Sequence, residues 1–229
     1  MQYFKKIFGR VLFCLFLGIV MVAPGKVSAG DNLDRIKADL GSSDWKVRLS
    51  AVESLENRKD EMTLHMLRDV AGTRSEYWPV KIKAILLLGE AQDPRAVELL
   101  LSIFNDTFSN WECPSIKSYT AVALGNFKGN SKVVDTLISG VTDRELLARE
   151  ASIQSLGRIG DSKAVPHLVG LLGDRSTAIR LSAIKALERI GDTEAIPHLQ
   201  RIADSDSDSL VKSEALAAVR NFRGKGEKN

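Results

Sequence analysis

Cysteine is almost absent from this chain: its 229 residues hold two, Cys14 and Cys113. So sparse a supply excludes a fold stapled by disulfides. Aromatic residues make up 6% of the sequence, and there are 6 prolines and 3 histidines. Proline and the 17 glycines are too few for a collagen-like or low-complexity chain, while 44% hydrophobic residues are too many for a disordered one. A surplus of one charge is also missing. Lys5, Lys6, Arg10 and Lys26 lie in the first 29 residues, which hold no acid; without them the 32 basic residues become 28 against 29 acidic, a net charge of −1. The basic character of the whole chain belongs to its N-terminus. The near-neutral remainder offers no broad electrostatic basis for binding nucleic acid or an anionic surface.

No apolar run is long enough for a comfortable membrane span. Residues 11–23 form the longest, and 13 residues at about 1.5 Å each cover roughly 20 Å of a hydrocarbon core of about 30 Å. Three basic residues stand before this run, and Pro24, Gly25 and the small-residue pattern Val27-Ser28-Ala29 come after it. That order reads as a signal peptide over residues 1–29, cleaved after Ala29, and so as an exported protein. The alternative is an uncleaved anchor stretched by tilt. Cys14 sits inside the run behind Phe13, unlike a lipid-modified cysteine. Cys113 then has no partner within the mature chain, and its expected place is a half-buried loop position. The sequon Asn105-Asp106-Thr107 carries meaning only in a eukaryotic secretory route.

What is present is repetition. An apolar-basic pair recurs as Val47-Arg48, Val80-Lys81, Ile116-Lys117, Ala148-Arg149, Ile179-Arg180 and Val211-Lys212, at spacings of 33, 36, 32, 31 and 32. Four residues after each pair begins stands a small residue (Ala51, Ala84, Thr120, Ser152, Ala183, Ala215), and four later an apolar one (Leu55, Leu88, Leu124, Leu156, Leu187, Val219). Steps of four place all three columns on one helical stripe. A second helix comes after each of the first five, marked by Leu64/Leu67, Val97/Leu100, Val134/Leu137, Val165/Leu168 and Ile196/Leu199. Gly160-Asp161 and Gly191-Asp192 supply a helix C-cap and the next N-cap, and the prolines fall at helix starts.

Residues 148–168 and 179–199, with their Val165-Pro166-His167-Leu168 and Ile196-Pro197-His198-Leu199 cores, resemble HEAT repeats in the short form also found in phycobilin-lyase-type proteins. Looser copies extend the resemblance over residues 33–223. It implies an all-α, right-handed α-solenoid of about six helix pairs, with an aspartate six positions before each basic residue pairing with it along a ladder between repeats. Asp143 with Arg149, Asp174 with Arg180 and Asp206 with Lys212 fit that spacing; Ser42, Ser75 and Trp111 take the place in the first three repeats, which leaves the ladder open there. The energetics agrees: one helix pair buries too little to offset its ordering, so stability must be shared between neighbours. The expected layout is one repeat domain over residues 30–223, opened by a capping helix over 31–40, and a polar tail over 224–229.

Reactive constellations are scarce. His167 and His198 occupy the same repeat position, so repetition explains them, and neither has an acid at ligand spacing. Iron-binding relatives with similar repeats, the deoxyhypusine hydroxylases, use His-Glu pairs, and this chain has no His-Glu dipeptide. The run Asp204-Ser205-Asp206-Ser207-Asp208 lacks the glycine and distal glutamate of an EF-hand loop. No cofactor, metal site or catalytic residue is assigned. The resemblance does not carry lyase activity, because the matching residues serve the fold. One asymmetry remains: of nine aromatics beyond residue 29, all but Phe222 lie in the N-terminal half. Trp45 and Trp78 share a position, two residues before the apolar-basic pair, and stacking should set them side by side. With Leu49, Ile82, Leu86, Trp111 and Tyr119 they form a candidate patch for another protein or peptide. The expected function is an exported, non-catalytic scaffold for protein–protein interaction, without nucleic acid or stable membrane insertion. The alternatives are an enzyme or lyase-like subunit using the repeats as a cradle, and a membrane-tethered assembly factor.

Overall fold

A computed structural model describes residues 29–106, 113 and 115–226. Among these the regular structure is entirely helical: α1 Ala29–Leu40, α2 Trp45–Glu53, α3 Glu61–Gly72, α4 Trp78–Ala91, α5 Val97–Asn105, α6 Ser115–Leu124, α7 Ser131–Gly140, α8 Leu146–Ile159, α9 Val165–Gly170, α10 Thr177–Ile190, α11 Ile196–Ser205 and α12 Ser209–Gly226. The targeting segment expected over residues 1–29 lies outside the described residues except for its last position, and Trp111 lies outside them too. The last helix runs three residues beyond the boundary expected at 223.

The columns read from the sequence form the interior. Ala51, Ala84, Thr120, Ser152, Ala183 and Ala215 are all buried, as are Leu55, Leu88, Leu124, Leu156, Leu187 and Val219. The first column is buried as well, except at the array's start, where Val47 has no repeat before it and stays 38% exposed. Each even-numbered helix packs on the even-numbered helix before it, and each odd-numbered one packs against the even-numbered helix after it. Helix α1 meets α2 in that second manner, with Ile36 inward and Asp34 and Arg35 in solvent, so it closes the N-terminal end with a polar outer face. Stacked helix hairpins of this kind make an α-solenoid.

Close approach of the even-numbered helices depends on small residues. A Cβ added at Gly157 of α8 would fall 2.7 Å from Ala186 Cα on α10, well inside van der Waals contact. The chain breaks are set by local chemistry. Gly160 and Gly191 end α8 and α10 at φ of 81° and 78°, a conformation that costs glycine nothing. Asp161 and Asp192 do act as N-caps, accepting N–H bonds from Lys163 and Glu194 at 2.9 and 3.0 Å. Each caps a short 3₁₀ turn that precedes α9 or α11, one step earlier than the sequence pattern suggests.

Candidate interaction surface

The even-numbered helices all start along one edge of the solenoid. Trp45 is the first residue of α2 and Trp78 the first of α4, while Tyr77 is the residue that precedes α4 and lends it no side-chain cap. The two tryptophans do not meet directly. Tyr77 stands between them, its ring centroid 4.9 Å from that of Trp45 and 5.7 Å from that of Trp78, with interplanar angles of 56° and 50°. Tyr77 is 41% and Trp78 46% exposed, whereas Trp45 is half-buried against the core. Aromatic side chains of that exposure are costly to leave in water unless something covers them.

The other residues of the expected patch divide. Tyr119 is exposed. Leu49 and Leu86 are half-buried and pack on the core. Ile82 does not belong to the surface: at 8% exposure it is a core residue, because position 82 on α4 turns under the neighbouring repeats. Three further residues of this edge are missing from the patch expected on sequence alone: Tyr77, and the pair Leu146 and Leu147, exposed by 47% and 61% in the first turn of α8. Those two leucines hold the register of Trp45-Lys46 and Trp78-Pro79 relative to the apolar-basic pair, so the signal is there. Counting aromatics alone hides it.

The same edge carries the ionic ladder, in a different register from the one the resemblance implies. Each acid pairs with the basic residue of the preceding repeat. Lys117 meets Asp143 at 2.5 Å, Arg149 meets Asp174, and Arg180 meets Asp206 at 2.9 Å. Arg180 and Arg149 instead donate to backbone carbonyls of their own repeat, Arg180 Nη1 to Asp174 O at 3.0 Å and Arg149 Nε to Val141 O at 3.1 Å, and Arg48 Nη1, with serine at the corresponding place, donates to Ser42 O at 2.8 Å. A second correction concerns the N-terminal half, where the ladder is not lost. Arg48 forms a fork with Glu76, Nε to Oε2 at 2.9 Å and Nη2 to Oε1 at 2.6 Å. The longer glutamate side chain reaches across from one residue beyond Ser75. Burial pushes the Asp174 carboxyl upward, but the Ser176 N–H and Arg149 together outweigh it and hold the group below the usual carboxylate range. Asp206 is held low in the same way, against burial, by the Asp208 N–H and Arg180. The hydrogen bond to Glu76 raises Arg48.

With these charges matched in pairs, exposed Lys46 and Arg74 remain at the aromatic end of the edge. Lys46 Nζ lies 5.9 Å from the Trp45 ring centre, and Arg74, 75% exposed, is only loosely held at 3.9 Å from Asp106. A cavity of about 240 Å³ opens beside Tyr77 and Trp78, walled also by Arg74, Glu76, Cys113 and Ile116. Cys113 is half-buried and carries a free thiol. On α5, α7 and the 3₁₀ turn before α9 a second, exposed set of ion pairs runs with opposite polarity, Glu98 to Lys132 at 2.6 Å and Asp135 to Lys163 at 2.5 Å. Exposed pairs of this kind contribute little. Among the described residues no group of three His, Cys, Asp or Glu side chains could hold a metal ion, and no helix is long and apolar enough to cross a membrane.

Fold and surface together define the class, an α-solenoid of stacked helix hairpins with one aromatic edge. The model of the HEAT repeats matches residues 33–111, 109–179 and 164–220, and the chain belongs to that family. Among solved structures it is similar to the complex of CpcE and CpcF of phycocyanin lyase from Nostoc sp. PCC7120, with a TM-score of 0.55 and 20% identity over 89% of this chain and 80% of that one. A designed armadillo repeat protein in complex with peptide (KR)4 gives a TM-score of 0.57 and 18% identity over 83% of this chain and 99% of that one. No curated protein sequence matches significantly. Likeness at such identities concerns the fold.

Proposed function

We propose that this chain is an exported, non-catalytic HEAT-repeat scaffold that docks another protein along its aromatic edge. The observation that carries the reading is the exposure of Tyr77 and Trp78 beside Trp45 at one end of the edge that carries the ionic ladder. Trp and Tyr supply large contact area at low entropic cost and dominate binding hot spots. Similar structures include a complex of two protein subunits and a repeat protein holding a peptide, which is consistent with contact as the use of this fold. Export rests on the sequence of residues 1–29 alone. The missing aspartates of the N-terminal repeats are not an argument for docking, since Arg48 and Glu76 supply the internal pair there.

Crosslinking and capture from the compartment in which the protein resides test the reading. Replacing both Tyr77 and Trp78 by alanine should remove the captured partner while the melting curve stays nearly in place. Lys185→Glu with Gln154→Glu, on exposed positions of α10 and α8, should leave capture intact. Capture that survives the first pair and is lost with the second places the site on the regular repeats and refutes the assignment.

A further inference from the structure

Met62 and Met66 are the only methionines that follow residue 29, and both wall one cavity together with His65. The cavity, of about 630 Å³, lies at the N-terminal end of the array: α1 supplies Lys37 and Leu40 to its walls, and α3 supplies Met62, His65, Met66 and Asp69. On α3 those four residues stand at i, i+3, i+4 and i+7, so they share one face of the helix. Core packing accounts for Met66, which is 6% exposed, but not for Met62, which keeps 52% of its surface in water in the first turn. Repetition explains His167 and His198, whereas His65 stands one position off their register and is not explained by it.

The side chains around the cavity are arranged as metal ligands are. His65 Nδ1 lies 2.9 Å from Asp69 Oδ2. In the neutral ring that contact keeps the proton on Nδ1 and the lone pair on Nε2, which has no hydrogen-bond partner among the described residues. A carboxylate behind an imidazole fixes the tautomer and ring orientation of a ligating histidine and makes its free nitrogen more basic. Met62 and Met66 add two thioether sulfurs, carried one helical turn apart. Thioether is a soft donor, and with imidazole it suits cuprous copper. Charge disfavours a divalent ion. All three donors are neutral, the Lys37 ammonium shares the cavity, and the two carboxylates in its walls are committed, Asp69 to His65 and Glu76 to Arg48. A divalent ion would give up hydration that such donors do not replace, and a soft monovalent ion gives up less.

We propose that Met62, His65 and Met66 form a binding site for the cuprous ion, with the two thioether sulfurs and His65 Nε2 as ligands and Asp69 orienting the imidazole. The site is independent of docking at the aromatic edge, and failure of either reading leaves the other in place. The probe is Cu(I) alone, supplied as its acetonitrile complex under nitrogen and titrated into the mature protein while methionine methyl and histidine ring NMR signals are recorded. The signals of Met62, Met66 and His65 should move together and saturate at one equivalent, with those of His167 and His198 unmoved. Even a residue that only orients a ligand is worth about 10–100-fold in affinity, so Met62→Leu should weaken binding at least about tenfold. That position is exposed and the change keeps the side chain's volume, so the melting curve should stay in place. Cys113→Ser should leave binding intact, which separates the site from capture of copper by the free thiol. Signals that stay still at several equivalents, movement of one methionine without the other, or binding lost with Cys113→Ser and kept in Met62→Leu overturns the proposal. So does Zn(II) moving the same signals at the same concentration.

Discussion

Replacing Gly157 by alanine should destabilise this protein, although the same change in an ordinary helix stabilises it. On its own terms the substitution is favourable by about 1 kcal/mol, because glycine has the larger backbone entropy to lose. Gly157 is buried within α8, however, and the new Cβ would lie 2.7 Å from Ala186 Cα and 2.9 Å from its Cβ. Both atoms belong to a helix interior, so neither can swing aside and α8 and α10 must separate. Overpacking of that kind costs about 1–3 kcal/mol. The separation also loosens the interface between two repeats, and in a linear array that broadens the transition. The expected net effect is a loss of up to about 2 kcal/mol, a fall in Tm of a few degrees for a chain of this size. Gly170→Ala is the matched control: its backbone is already right-handed helical and a Cβ there meets nothing within 4 Å, so it should stabilise by several tenths of a kcal/mol. Urea melts monitored by circular dichroism read both. Equal effects of the same sign would show that α8 and α10 do not approach as described.

Leu187→Ala, at a fully buried position of α10, should cost about 2–5 kcal/mol in the same melts through lost transfer energy and the cavity left behind. Asp206→Asn should lower stability at pH 7 by about 1–3 kcal/mol, since it removes a charged acceptor from Arg180. The folded-state carboxyls of Asp174 and Asp206 lie below their unfolded value of about 4, so their contribution is full above that pH and is lost as pH falls through the lower folded value. Melts repeated at pH 3 should accordingly show a smaller penalty for Asp206→Asn than at pH 7. Intact mass of protein recovered from an exporting cell should correspond to a chain starting at Gly30, and a mass that includes residues 1–29 would remove the signal-peptide reading.

The interior is legible in the sequence because burial repeats with the helical period: a small residue at Ala183 and a leucine at Leu187 sit under every neighbour that stacks on them, and the columns repeat that requirement six times. Helix ends are legible where a single residue dictates them, as Gly191 does by its positive φ. The ladder is not, for a geometric reason. Spacing within one repeat says that Asp174 precedes Arg180 by six, but not that the arginine turns back to the Asp174 carbonyl while the carboxylate reaches Arg149 of the repeat before. Glu76 escapes for the same cause, since a longer side chain fills the role from a neighbouring position. In the candidate surface, Trp45, Trp78 and Tyr119 can be read from residue type and repeat position. Ile82 cannot be separated from them, because the face an apolar residue turns to solvent depends on the packing of the next repeat.

If the protein works by contact through the edge where α2 and α4 begin, a photoreactive side chain at position 78 must find its partner there. The comparison is with a second protein carrying the same group at position 185, each activated in the compartment where the chain resides. The expected result is a discrete adduct with one other protein from position 78, lost when Tyr77 is also replaced by alanine, and none from position 185. An adduct from position 185 alone, or equal adducts from both, would contradict docking at this edge.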